Sequence, residues 1–173
     1  MRALALCFTL MAAPAFAGSP LPFDVGGPFS LIDQKGEERT DKSFLGKPAM
    51  LFFGYAECQS ICTVALPRMA EAIDLLDEAG KDVQPILITV DPARDTPEAL
   101  TTSAPKIHER LVALTGNEDA LAAARKSYKV ESKQIGEDIV GPIFAHGSFI
   151  YLLDEDGQVK SLLPPVLAPE RIA

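Results

Sequence analysis

Ala49-Met-Leu-Phe-Phe-Gly-Tyr55, followed after Ala56 by Glu57-Cys-Gln-Ser-Ile-Cys-Thr63, is the stretch whose reading decides the fold. Its first seven residues form an almost unbroken apolar run, the pattern of a central strand covered on both faces. Beyond it, Ala65, Leu66, Met69, Ala72, Ile73 and Leu76 recur at three- and four-residue spacing, and Gly80 follows as a stop. That periodicity predicts an amphipathic helix over Val64–Ala79. Pro67 lies in its first turns, so the helix is expected to be irregular or to start after Cys62. Cys58 and Cys62 stand at the junction of strand and helix. Helix N-termini favour thiolate through the backbone N–H groups and the dipole. A spacing of four puts both sulfurs on one face if the turn is already helical at Cys58.

Upstream, Gly18–Pro28 is rich in Gly and Pro and reads as an extended lead-in. Phe29–Asp33, the turn Gln34–Gly36 and Glu37–Thr40 predict a small hairpin, and Asp41 a cap for a short turn over Ser43–Leu45. Downstream, Val83–Val90 is a second continuous apolar strand ended by Asp91-Pro92. Asp95-Thr-Pro-Glu98 has the form of a helix start, with Asp95 as the cap. Pro105 is expected to interrupt or end that helix. Leu111–Leu114 is a short strand, and Asn117 caps a helix over Asp119–Tyr128. Phe149–Leu153 and Gln158–Leu163 flank Asp154-Glu-Asp-Gly157, a hairpin turn. Ala168–Ala173 begins a last helix. The order implies an α/β domain over 29–173: a central mixed sheet, helices on both faces and an N-terminal β-hairpin. A strand–helix unit with cysteines at the helix start has the outline of a thioredoxin-like domain, although the usual C-x-x-C spacer is here one residue longer.

The first seventeen residues read differently. Arg2, the uncharged run Ala3–Ala13 and Ala15-Phe-Ala17 have the layout of a secretory signal with an A-x-A site. The apolar run is shorter than the roughly 20 residues a bilayer span needs. Cleavage and export to a periplasm are expected; an uncleaved anchor associated with the inner membrane is the alternative. Cys7 lies within the apolar run, not at the cleavage point, and is no lipid-attachment site. Removal of residues 1–17 leaves 156 residues with a net charge of −9, since Arg2 is lost and no acid is. So acidic a domain is a poor nucleic-acid binder, because phosphate contacts need clustered Lys and Arg. It suits docking on a basic protein surface. A monomer is expected.

Two cysteines remain, which in an oxidising compartment ordinarily means one structural disulfide. His146 offers a further option. Two thiolates and an imidazole can hold Cu(I) in a low-coordinate site, or Cu(II) with an added ligand. A structural zinc site is disfavoured, since it wants four protein ligands and no clear fourth is present. His146 is read as lying in a short loop, with Ala145 and Gly147 leaving its ring room to move. The plainer reading is a histidine that only bonds nearby backbone. Asp91, Arg94 and Asp95 are read first as strand-end and capping residues; Arg94 is also placed to stabilise a thiolate or meet a partner. Tyr55 and Glu57 precede the cysteines as a rim. Met50 and Met69 read as core packing, and His108, in the polar stretch Lys106–Arg110, as an exposed surface histidine.

Four segments occur in order: Phe53-Gly-Tyr-Ala-Glu-Cys-Gln-Ser-Ile-Cys62, Thr89-Val-Asp-Pro-Ala-Arg-Asp-Thr-Pro-Glu98, Leu114-Thr-Gly116 and His146-Gly-Ser-Phe-Ile-Tyr-Leu-Leu-Asp-Glu-Asp-Gly157. Together they resemble the Sco/SenC copper-chaperone family over most of the domain, from about Phe29 to Gly157. The resemblance implies a thioredoxin-like fold and copper held by Cys58, Cys62 and His146. It also implies service in assembling the dinuclear copper centre of cytochrome c oxidase, and in some members thiol–disulfide reduction. The chain departs from the family pattern at Gln59, Ser60 and Thr63, where prolines and an aspartate are usual, and at Ala145, where an acid usually precedes the histidine.

Two functions follow. One is a periplasmic metallochaperone, which catalyses nothing, delivers copper to a client cuproprotein and needs a thiol reductant protein. The other is a thiol–disulfide oxidoreductase in which Cys58 attacks and Cys62 resolves. A peroxidase is a weaker third, because nothing in the motif selects peroxide.

Overall fold

The computed structural model describes residues 21–56, 62–139 and 141–173. The leader read over residues 1–17, the start of the lead-in, and Glu57 and Cys58 lie outside the described residues. Among the described residues nine strands and four α-helices follow one another: β1 (Ser30–Asp33), β2 (Glu38–Thr40), β3 (Ala49–Gly54), α1 (Cys62–Glu78), β4 (Gln84–Thr89), α2 (Pro97–Ile107), β5 (Val112–Thr115), α3 (Glu118–Ser127), β6 (Ser132–Glu137), β7 (Pro142–His146), β8 (Ile150–Leu153), β9 (Val159–Leu163) and α4 (Pro169–Ile172). Seven strands form one sheet in the order β2-β1-β5-β4-β3-β8-β9, and β6 and β7 pair apart from it.

The sheet is mixed for a reason visible in its connections. β3, β4 and β5 are parallel, joined through α1 and α2, whereas β8 and β9 meet through the tight turn at Asp154–Gly157 and run antiparallel. All six residues of β3 are buried, as are five of β4, as their continuous apolar runs require. Alternation along β3 assigns its faces. The position a side chain would take at Gly54 meets Cys62 of α1, while the Phe53 ring packs at 5.5 Å from Tyr128, which caps α3. Even-numbered residues of β3 therefore face α1, which has α2 and α4 beside it, and odd-numbered ones face α3. The expected mixed sheet, helices on both faces and N-terminal hairpin are all present. Met50 and Met69 are core residues, 2% and 1% exposed.

Several expectations are corrected. α1 is helical from Cys62 onward, with Pro67 inside it, and does not start later. The missing N–H costs one hydrogen bond early in a helix whose buried face, Ala65 to Leu76, outweighs it; each buried Leu or Ile contributes about 1.5–3 kcal/mol. α2 likewise runs past Pro105 to Ile107, held by the buried Leu100 and Ala104. Its N-cap is Thr96, whose hydroxyl accepts from the Ala99 N–H at 3.3 Å, and not Asp95, which turns inward. The short turn at Asp41–Phe44 is 3₁₀ and is capped at Thr40, whose N–H donates to the Ser43 hydroxyl. His108 is not a surface residue: it is 9% exposed, its Nδ1 accepts from the Arg110 N–H and its Nε2 lies 3.3 Å from Asp74 of α1. The hairpin β6–β7 was not foreseen, and His146 is the last residue of β7, not a loop residue. Among the described residues no helix is long and apolar enough to cross a membrane.

Candidate metal and thiol site

The site lies at the C-terminal ends of the parallel strands. β3 and β4 finish together, with the Val90 N–H donating to the Gly54 carbonyl at 2.8 Å. There the chain leaves β3 through Tyr55 and Ala56, and α1 brings Cys62 back under the sheet, 2% exposed. Gly54 is a steric necessity. A methyl at its Cβ position would stand 2.7 Å from the Phe52 ring and 3.0 Å from the Cys62 sulfur. The helix start approaches the sheet this closely because no side chain intervenes.

His146 reaches the same place from the far end of the sequence. Its Nε2 is 3.5 Å from Cys62 Sγ. Its Nδ1 is 3.0 Å from the Gly147 carbonyl, a group that only accepts. Nδ1 therefore carries the hydrogen, and in the neutral ring Nε2 presents a lone pair towards the sulfur. This is how outer hydrogen bonds orient histidine ligands. A metal with bonds of about 2.3 Å to sulfur and about 2.0 Å to nitrogen, at a tetrahedral angle, holds its donors roughly 3.5 Å apart. The observed pair fits that span without rearrangement. Among the described residues no third His, Cys, Asp or Glu completes a metal-binding group. Cys58, the remaining sequence-derived donor, lies outside them.

Aromatic rings wall the imidazole. Phe52 and Tyr55 both stand edge-on to it, each with centroids 6.1 Å away. Tyr55, expected at the rim, is 2% exposed. Its hydroxyl accepts from the Phe144 N–H of β7 at 3.5 Å, and its ring meets Phe144 edge-on. Arg94 lies over the other side, its guanidinium 5.1 Å from the Tyr55 centroid. The same guanidinium pairs with the buried Asp91 and donates to the Pro142 carbonyl at 2.6 Å. Arg94 thus fastens the loop after β4 to the first residue of the strand that carries His146. Gly141, at φ +135°, makes room for it, since a Cβ there would sit 3.2 Å from the guanidinium.

Asp95 organises the other wall. Its carboxylate accepts from the Ala56 N–H at 3.1 Å and from the Thr89 hydroxyl at 2.7 Å, so it holds the exit of β3 to the end of β4. Burial, and next the charge of Asp91, lift its pKa above the ordinary 3.8 against the opposing pull of those two bonds and of Arg94. Sequence reading placed Arg94 within reach of a thiolate and took Asp95 for a helix cap, and missed what the two grip. Gly54 gave no signal beyond being a glycine within an apolar strand, which does point to close approach.

The family model described as SCO1/SenC matches residues 18–173. Protein SenC of Rhodobacter capsulatus is 37% identical over 130 residues, covering 75% of this chain and 59% of that protein. The chain spans 59% to 66% of the length of the first curated relatives. Among solved structures, Arabidopsis thaliana ScoI with copper bound superposes with a TM-score of 0.81 at 31% identity, covering 86% of this chain and 92% of that one. Bradyrhizobium japonicum ScoI with copper bound gives 0.77 at 35% identity, over 85% and 94%. The fold is theirs, thioredoxin-like with its mixed sheet. Motif order, matched length and the meeting of a helix-start cysteine with a distant histidine agree, and this chain belongs to the SCO1/SenC family.

Proposed function

We propose that this protein is an exported copper metallochaperone. In this reading Cys58, Cys62 and His146 hold the ion, and residues 1–17 direct export to the periplasm. The client is a cuproprotein, first among them the cytochrome c oxidase subunit with the dinuclear copper centre. The observation that carries the reading is the 3.5 Å approach of His146 Nε2 to Cys62 Sγ, with the lone pair directed at the sulfur. Thiolate is a soft donor and imidazole a borderline one, and both suit copper. Copper-bound relatives of the same fold support it. The ion is cargo: it arrives and leaves, and the chain supplies only the grip.

The test is anaerobic Cu(I) titration of the reduced protein against a competing chelator, with Cys58→Ser, Cys62→Ser and His146→Ala alongside. One equivalent bound tightly, and weakened by each substitution, is expected. Absence of competitive binding refutes the chaperone.

A second reading, thiol–disulfide oxidoreductase, is favoured by the burial of Cys62, which suits a resolving thiol. Cys58 thiolate attacks a client disulfide, forming a mixed disulfide and releasing one client thiolate. Cys62 then attacks Cys58, closing Cys58–Cys62 and releasing the second. The client gains two electrons, and a thiol reductant protein restores the pair. His146→Ala should abolish tight copper binding and leave this exchange nearly intact; joint loss of both would erase the distinction between the two functions.

A further inference from the structure

The face of the sheet opposite α1 is thinly covered. α3 has ten residues, which makes it about 15 Å long, too short to roof seven strands. Its C-cap, Tyr128, reaches the odd-numbered side chains of β3 through Phe53. Beyond that point, among the described residues, the N-terminal ends of β3 and β4 are covered by the 3₁₀ turn at Asp41–Phe44, the Gly27–Phe29 segment and the Asp154–Gly157 turn. A cavity of about 60 Å³ remains there, at the end of β3 remote from Cys62 and His146.

Its walls are of two kinds. Phe44, Leu51, Ile86 and Leu153 supply apolar lining, and Asp41, Asp154 and Asp156 supply carboxylates. Asp154 is spoken for: it pairs with Lys160 at 2.9 Å and accepts from the N–H groups of Asp156 and Gln158. Asp41 and Asp156 make no ion pair among the described residues. Tyr128 is the second, independent observation. It is 1% exposed, yet its hydroxyl makes no hydrogen bond among the described residues, and it lines the cavity. No sealed polar side-chain atom is left unsatisfied in the described residues, so the hydroxyl opens into that space. Burial, and then the charge of Asp41, raises its pKa, so it stays protonated.

We infer that this cavity is a binding site for a primary ammonium on a short alkyl chain. Three donors on the nitrogen match three acceptors, the Asp41 and Asp156 carboxylates and the Tyr128 oxygen. The alkyl stem lies along the apolar lining. At roughly 10–15 Å³ for each water-sized group, the volume admits about four to six heavy atoms, the size of n-butylammonium or the end of a lysine side chain. A free amine and a lysine of a protein partner share this chemistry. The site is separate from the proposed copper role and does not depend on it.

The experiment titrates the whole protein with n-butylammonium, N-acetyl-lysine methylamide and n-butanol, reading backbone amide shifts by NMR. Saturable shifts confined to residues around Leu51, Tyr128 and Gly157 are expected with n-butylammonium and not with the neutral alcohol. Saturation by the lysine derivative as well assigns the site to a protein lysine; saturation by n-butylammonium alone assigns it to a free amine. Asp41→Asn and Asp156→Asn should each weaken binding about tenfold, and Tyr128→Phe similarly, the scale of a lost hydrogen bond to a charged group. Equal response to butanol, no saturable shift, or unaltered binding in both Asn variants overturns the site and leaves a cavity holding water only.

Discussion

Gly54→Ala is the smallest change that probes the construction of the thiol site. The added methyl would sit 2.7 Å from the Phe52 ring and 3.0 Å from Cys62 Sγ, both below ordinary contact. Phe52 is fully buried in the central strand and cannot swing aside; the sulfur is the end of a short side chain at a helix start. The strain is therefore shared between a ring that must tilt and a helix terminus that must retreat. Overpacking of this kind costs about 1–3 kcal/mol, which for a chain of this size lowers the melting temperature by roughly 2–12 °C. Retreat of Cys62 also opens the gap to His146, so Cu(I) affinity falls alongside. Urea unfolding and chelator competition measure the two effects. A double-mutant cycle separates the clashes: in a Cys62→Ala background the sulfur contact is gone, and the cost of Gly54→Ala should drop. If Gly54→Ala is neutral within about 0.5 kcal/mol, or costs the same with and without the sulfur, the argument from close approach is wrong.

Arg94→Lys keeps the charge but not the planar fork, so it can serve Asp91 or the Pro142 carbonyl and not both. It should weaken Cu(I) binding by about tenfold and shift the His146 ring resonances, with the fold retained; unchanged affinity would show that the clamp on β7 does not position the ligand. Asp95 has a folded pKa raised above 3.8 by burial, so over that window the folded state holds more protons than the unfolded. Its ionisation then subtracts stability as pH climbs from the ordinary value through the folded one. Asp95→Asn should gain on the parent across that range in urea midpoints taken at successive pH values, and a gain in the opposite direction would contradict the burial argument. Copper itself should stabilise: at free Cu(I) a hundredfold above Kd the gain is about 2.7 kcal/mol, and His146→Ala should lose most of it at the same copper activity.

The elements that sequence reading recovered are those whose burial is uniform. β3 and β4 are apolar at almost every position and α1 shows a clear helical stripe, so periodicity alone located them. The terminal hairpin was legible through Asp154–Gly157, whose turn chemistry is local. β6 and β7 fail both tests. Ser132–Glu137 is largely exposed, with no apolar alternation, and the pair is held by its own ladder and by what β7 meets, Tyr55 and Arg94. Those partners lie 48 and 89 residues away in sequence, and no local pattern announces them. The prolines misled in the opposite sense: Pro67 argued for an irregular or late start to α1 and Pro105 for an early end to α2, and tertiary burial carries both helices through. His108 was misread because polar neighbours in sequence say nothing of Asp74, which α1 supplies from 34 residues away.

Ala145, the residue before the proposed histidine ligand, supplies no donor of its own, and the neighbouring side chains determine what else can reach the site. Ala145 sits on β7 opposite Lys133, an exposed pairing that brings no carboxylate towards His146. Two of the described carboxylates at this end of the sheet are already committed, Asp91 to the Arg94 guanidinium and Asp95 to the Ala56 N–H and the Thr89 hydroxyl. Releasing Asp95 to a metal would strip the Ala56 N–H of its acceptor, a penalty of about 1–3 kcal/mol, and releasing Asp91 would cost Arg94 its ion pair. Among the described residues these two oxygen donors are thereby withheld from the proposed site, whose described donors are the Cys62 sulfur and the His146 imidazole. Such a set discriminates by softness: it retains a monovalent soft ion and gives little extra hold to divalent ions that prefer oxygen. In the proposed site the alanine at position 145 leaves the donor chemistry to Cys62 and His146, with Arg94 and Asp95 fixing the geometry from the side of the sheet and Gly147 orienting the ring.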